Sequence, residues 1–290
     1  MPNRRYGELV PGYELPEFQL KIKNTSDSGI HDDATASGYG YKGGLVPGNT
    51  IYSYMSRGLV GYFGSAWLAS GQLQVRFARP LYEGEDMTCK YVVTERVEEA
   101  AGERVLFDFT AENGGGESCA RGSGSLLLGE SPAAPEELPF VAAARRGNLP
   151  EIPMITPGNV ALNLAFEPER IEDSTESNDA YIVRVSDPLP IYQRLMHPGC
   201  LLRWTTLAEK ALRERPGSPD LGPAMHTAYK VENFGPALAG RPYTVYGTFI
   251  EDYNRKGHDY YTTDTIICDE LSGPVARVQM TTIYHLKPKE

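Results

Sequence analysis

The chain has 290 residues, 41% apolar and 23% charged, which fits a globular protein with one large core or two ordinary ones. Its net charge of −10 disfavours a general nucleic-acid or anionic-membrane binder, because a polyanionic partner needs a basic footprint. Cys89, Cys119, Cys200 and Cys268 form no C-x-x-C pair and read as buried reduced thiols, so neither a zinc site nor a redox motif is expected.

Near the beginning, Arg4-Arg5 leads into no apolar core, and no uninterrupted apolar run approaches the roughly 20 residues that span a bilayer. A cytoplasmic protein with no membrane partner is expected. The first informative stretch is Ile30-His31-Asp32-Asp33, followed by Gly38-Tyr39-Gly40-Tyr41-Lys42-Gly43-Gly44 and Val46-Pro47-Gly48-Asn49-Thr50. It places a titratable imidazole and carboxylates before a glycine loop able to approach a ligand, and that loop leads into a helix start. His31 is the candidate acid/base, and Tyr41, Gly43 and Gly44 are the loop residues placed to meet a substrate. The backbone N–H groups of Gly48 and Asn49, at the positive end of the helix, are the candidate oxyanion donors. Asp33 reads equally as a catalytic partner or a turn cap. Asp27 reads as an acid orienting His31 or as part of a polar surface turn with Ser26 and Ser28, and Asp32 reads as solvated.

His31, Asp33, Ala34, Ala36, the aromatic-glycine pairs and Gly43-Gly44-Leu45-Val46-Pro47-Gly48 resemble the hydratase motif of MaoC-like proteins of the hotdog fold. The resemblance continues through Trp67 to Gly84, which looks like the alternating strand and the Arg79-Pro80-Leu81-Tyr82-Glu83-Gly84 turn that follow the family's central helix. Two positions depart from it. The family's catalytic Asp falls on Ser26, with Asp27 one residue closer to the histidine, and its helix-start His-Gly is Pro47-Gly48 here.

The resemblance implies an α+β double hotdog, two antiparallel curled sheets each wrapped around a central helix. It also implies reversible hydration or dehydration of a 2-enoyl or 3-hydroxyacyl thioester carried by CoA or an acyl carrier protein. No cofactor is implied. Two other readings stay open: a hotdog acyl thioesterase, and a noncatalytic acyl-ligand-binding or assembly module.

Further along, Met87 to Val93 and Arg104 to Thr110 alternate in the period-two manner of antiparallel strands, as do Tyr243 to Glu251 and Asp259 to Cys268. A connector rich in proline, with the run Ala142-Ala143-Ala144, is expected to be extended. It divides the chain into modules 1–130 and 158–290, with 131–157 between them. The modules repeat one pattern. Pro47-Gly48 has a counterpart in Pro198-Gly199, 151 residues on, and the glycines Gly84 and Gly240, then Gly116 and Gly273, follow at matching intervals. A helix is predicted over Cys200 to Arg215, with Leu201, Trp204, Ala208, Ala211 and Leu212 on one face.

In the second module the strand-loop position carries Asn178-Asp179 and no histidine; Asp179 stands 19 residues before Pro198 and Asp27 20 before Pro47, a spacing that reads as repeat equivalence. His197, beside Pro198-Gly199, resembles the family's helix-start histidine and reads as an acid or as a packing residue. Arg255-Lys256 reads as a carrier-phosphate contact or a solvated hairpin tip, and the 18 tyrosines as tunnel lining or ordinary strand residues. Because one chain supplies both halves of a hotdog pair, a monomer is compatible with the repeat. Further homodimerisation is what the resemblance implies.

Overall fold

The computed structural model describes residues 6–287, apart from 131, 148 and 173, so Arg4 and Arg5 lie outside the described residues. The first half runs β1 (Phe18–Lys21), α1 (Asp33–Gly38), α2 (Gly48–Phe63), α3 (Ser65–Ser70), β2 (Gly71–Phe77), β3 (Asp86–Glu99), β4 (Gly102–Asn113) and β5 (Ser118–Gly129). After α4 (Pro139–Arg145), the second half runs β6 (Glu169–Ile171), α5 (Ser174–Val185), α6 (Pro198–Trp204), α7 (Leu207–Arg213), β7 (Met225–Asn233), β8 (Tyr243–Arg255), β9 (His258–Asp269) and β10 (Gly273–His285).

The strands form where polar and apolar residues alternate. In β3, Met87, Cys89, Tyr91 and Val93 face the core while Lys90 and Val92 point outward, the pattern of a sheet with one dry face. All pairings are antiparallel, and the sheet order is β1-β3-β4-β5-β2-β7-β10-β9-β8-β6. Its two halves join through β2 and β7, in a register running from Gln72 opposite Glu232 to Arg76 opposite Ala228.

Inside the first half lies α2, whose Ile51, Tyr52, Met55, Leu59, Val60 and Phe63 repeat at helical spacing and are buried. It packs against α6 of the second half, and the Ser53 and Tyr181 hydroxyls are bonded at 2.8 Å beside that contact. All four cysteines are buried free thiols. Among the described residues no helix is long and apolar enough to cross a membrane.

Four segments differ from expectation. The predicted helix from Cys200 to Arg215 is broken into α6 and α7 at Thr205 and Thr206, whose hydroxyls donate to the Leu202 and Arg203 carbonyls at 2.8 Å each, a side-chain competition that bends helices. Trp67 to Ser70, expected to begin a strand, finish the short helix α3, and the strand starts only at Gly71. The alanine run of the connector lies in α4, where Phe140 and Val141 are buried against Ile266 and Cys268, so tertiary packing overrides the surrounding prolines. Asn178 and Asp179 sit within helix α5 rather than in a strand-loop.

One irregularity sets the direction of a side chain. Between β7 and β10 the register slips, Thr281 lying opposite Ala228 and Thr282 opposite His226. Thr227 is the extra residue of a β-bulge. In an unbroken strand His226 and Tyr229 would point to opposite faces, and the bulge brings them to the same one.

Candidate active site

The start of α2 and the segment 206–227 of the second half enclose a cavity of about 910 Å³. His31, Tyr41 and Gly48 line it from the first half, and Glu209, Arg213 and His226 from the second. Both halves therefore build its walls.

His31 ends a short 3-10 turn, Gly29–His31, and its Nδ1 lies 2.6 Å from the Leu45 carbonyl oxygen. A carbonyl only accepts, so Nδ1 carries the proton and Nε2 is left with the lone pair. Burial lowers the pKa of His31 and so favours the neutral ring, against the opposing, weaker effect of the Leu45 bond. The turn is fixed from behind. Asp33 Oδ1 accepts from the Gly44 N–H at 2.7 Å, the Asn24 amide donates to the His31 carbonyl at 3.0 Å, and the Leu45 N–H donates to the Ile30 carbonyl at 3.1 Å. A Cβ on Gly44 would collide with the His31 carbonyl, so only glycine lets the loop close this tightly.

These bonds revise several expected roles. Asp33 is exposed and its carboxylate is used on the loop, so it positions the His31 turn from outside the cavity lining. Gly43 and Gly44 also stand outside the lining, while Tyr41 borders it with its hydroxyl 3.8 Å from Met225 Sδ. Asp27 is exposed in the preceding loop and does not reach the cavity. Asp32 caps α1 by accepting from Thr35, whose N–H and hydroxyl hold its pKa down.

At the start of α2 the N–H groups of Gly48 and Asn49 have no partner among the described residues, and Thr50 and Ile51 begin the helical bonding to Pro47. Gly48 lines the cavity; Asn49 lies behind it, its carbonyl accepting from Ser53 and Tyr181. The second half differs at the equivalent place. His197 Nδ1 accepts from the Gly199 N–H at 3.0 Å, plugging that helix start, whereas proline at 47 offers no side-chain acceptor.

His197 is 0% exposed, lies between the Tyr181 and Tyr192 rings, and has Nε2 3.4 Å from Asp187. It is a packing and capping residue. Asp179 is exposed on α5, while its neighbour Asn178 is buried and accepts from the His197 N–H at 2.7 Å. Arg255 and Lys256 stand at an exposed hairpin tip outside the cavity lining.

Three cavity residues had not been singled out from sequence. His226 Nδ1 lies 2.6 Å from the Tyr229 hydroxyl. A Cβ placed on Gly48 would stand 2.9 Å from that hydroxyl and 3.3 Å from His226 Cβ, so the pair abuts the open helix start. Burial, with the positive potentials of His31 and Arg213, lowers His226 to about 3. Glu209 on α7 is 3% exposed; burial lifts its pKa to about 7, while the nearby Tyr261 hydroxyl and Arg213 pull it down. Its Oε2 has no hydrogen-bond partner among the described residues. Arg213, one helical turn on, donates instead to the Gly222 and Tyr284 carbonyls. A Glu-x-x-x-Arg pair on the helix was the available signal for these two. For His226 no sequence signal existed, because regular alternation puts it on the outer face.

No protein-family profile matches the chain, and no curated protein does. Solved structures do. A protein of Chloroflexus aurantiacus provisionally described as a MaoC domain dehydratase superposes over 94% of this chain and 95% of its own, with a TM-score of 0.64 and 11% identity. A conserved hypothetical protein of Mycobacterium tuberculosis, described as having a double hotdog fold, covers 96% of this chain and 97% of its own at a TM-score of 0.60 and 11% identity. The fold is a double hotdog. A Lactobacillus plantarum protein provisionally described as an oleoyl thioesterase shares it at a TM-score of 0.51 and 12% identity, covering 98% of this chain and 100% of its own. Within this fold, the cavity combines a neutral imidazole with a free lone pair, a second neutral imidazole, and unpaired amides at a helix start. Such a set can move a proton and stabilise an oxyanion without placing a permanent charge beside either step.

Proposed function

We propose that the protein hydrates 2-enoyl thioesters and dehydrates 3-hydroxyacyl thioesters, with CoA or an acyl carrier protein as the thiol. The observation that carries this reading is His31, neutral and fixed by Leu45 with its Nε2 lone pair unused, in a cavity that also holds the open N-terminus of α2. In dehydration, His31 Nε2 removes the proton from the α-carbon, and the carbonyl oxygen gains charge facing the Gly48 amide. The β-hydroxyl then leaves as water with the proton returned by His31. Likeness in fold to proteins described as dehydratases supports the reading, and a cytoplasmic setting fits it.

The test is His31→Ala, assayed on short- and medium-chain 2-enoyl-CoA thioesters by enoyl absorbance and free thiol together. With the fold intact, turnover falls by about 10² to 10⁴-fold, the usual contribution of a positioned proton carrier. Activity of the wild-type protein fades as pH drops below His31's lowered pKa, because the protonated ring has no lone pair to offer. Unchanged hydration in folded His31→Ala removes the mechanism. Thiol release without hydration assigns the protein to the thioesterases.

A further inference from the structure

We propose that His226 is a second catalytic residue, donating its Nε2–H to the thioester carbonyl oxygen while His31 takes the α-proton; this rests on the lyase reading above. The proposal begins from the Tyr229 hydroxyl. Tyr229 is 1% exposed, and among the described residues the only partner of its hydroxyl is His226 Nδ1, at 2.6 Å. A buried hydroxyl proton needs an acceptor, and this one is offered only that nitrogen. Nδ1 is therefore the lone-pair atom of His226 and Nε2 carries the hydrogen. His31 has the reverse arrangement, with its hydrogen on Nδ1 facing Leu45. One cavity thus holds two imidazoles of opposite polarity, one accepting and one donating through Nε2.

Position matches polarity. The bulge at Thr227 turns His226 to the same face as Tyr229, beside Gly48, whose free N–H marks where an oxyanion would lie. Phe77 and Tyr52 pack edge-on against the Tyr229 ring and hold the hydroxyl in place. The groups that act electrostatically on His226 are His31 of the first half and Arg213 of α7, and both disfavour its protonation. It stays a neutral donor at physiological pH, as does the base opposite it.

The step balances as follows. The α-C–H bond breaks, its proton goes to His31 Nε2, and its electron pair moves into the C–C–O system. The carbonyl oxygen becomes enolate-like and is held by the Gly48 N–H and the His226 Nε2–H, which remains on its nitrogen. The enolate then re-forms the carbonyl, expels the β-hydroxyl, and His31 returns the proton, releasing water and the 2-enoyl thioester.

Four proteins are compared on 2-enoyl-CoA hydration: wild type, His226→Phe, His226→Gln and Tyr229→Phe. His226→Phe should lower kcat by about 10² to 10³-fold with KM nearly unchanged, as loss of one oxyanion donor does. His226→Gln, which keeps an N–H donor, should regain at least about tenfold of that loss. Tyr229→Phe should cost about tenfold, because the tautomer is no longer enforced. Nitrogen-15 NMR of the wild-type protein should show the hydrogen on Nε2 of His226 and on Nδ1 of His31, with His226 still neutral well into the acid range. Wild-type kcat in folded His226→Phe overturns the proposal, as does a hydrogen on Nδ1 of His226. If His226→Phe does not fold, the glutamine variant and the wild-type tautomer decide. Failure of the lyase reading is seen separately, as absence of hydration by the wild-type protein before any substitution, and takes the proposal with it.

Discussion

Burial without a dedicated cation leaves Glu209 with a pKa near 7 instead of 4.5, so the folded protein holds a proton there that the unfolded chain releases. The sign follows directly. Whatever this carboxyl contributes is present below pH 4.5 and is lost as pH rises through 7, for a total penalty of roughly 3 kcal/mol. Glu209→Gln should therefore raise stability at pH 8 by a kilocalorie or more and flatten the dependence between pH 5 and 7, read from denaturant midpoints at the two ends. An unchanged midpoint at pH 8 would mean that a cation or water already compensates the charge. At this same scale His31 was legible in the sequence, because a histidine before a glycine loop and a Pro-Gly helix start is an unusual combination. For Asp33 the sequence left a catalytic partner and a turn cap equally open, since whether a carboxylate meets a substrate or an amide depends on a loop closure that no local spacing encodes. His226 was hidden because its side chain faces the cavity only through the bulge.

Among the elements, the strands were the readable part. Period-two alternation in β3, β4 and the first residues of β8 depends only on which face is dry and survives in the structure, whereas β9 is buried on both faces from Tyr261 to Asp269. The helices were less readable where side chains bonded back to their own backbone, as Thr205 and Thr206 do between α6 and α7. That break is not idle, because it separates α6, packed on α2, from α7, which carries Glu209 and Arg213 to the cavity. The bulge of β7 gives the sharpest element-level prediction. Deleting Thr227 removes the extra residue and makes β7 regular, with His226 still opposite Thr282, two positions from Tyr229 and on its face, and with the seam with β2 in register. Hydration should be largely retained while far-UV circular dichroism stays the same, and a fall as deep as in His226→Phe would show that the local twist of the bulge, beyond the face it selects, aims this side chain.

The repeat of glycine spacings foretold two like halves, and the continuous sheet joined at β2 and β7 is the form they take. We place the division between them within 131–157. What repetition could not foretell is how unequal the halves have become. A helix start plugged by His197 in one and left open after Pro47 in the other allots the proposed oxyanion site to the first half, and the second supplies the opposite wall of the cavity. This shared wall has a consequence for the order in which the molecule is made. Gly48 leaves the ribosome when more than half the chain that separates it from His226 is still unwritten, so a growing chain can bury α2 long before its catalytic pocket exists. Trp67 and Trp204 mark the two halves, both nearly fully buried. In refolding experiments on Trp67→Phe and Trp204→Phe, the remaining indole reports one half at a time, and activity should return no earlier than the slower signal. Recovery ahead of either would mean that the seam is not what completes the pocket. On the proposed reading, a chain built this way stays inert until its synthesis is nearly finished, which spares a reactive thioester from meeting half a site.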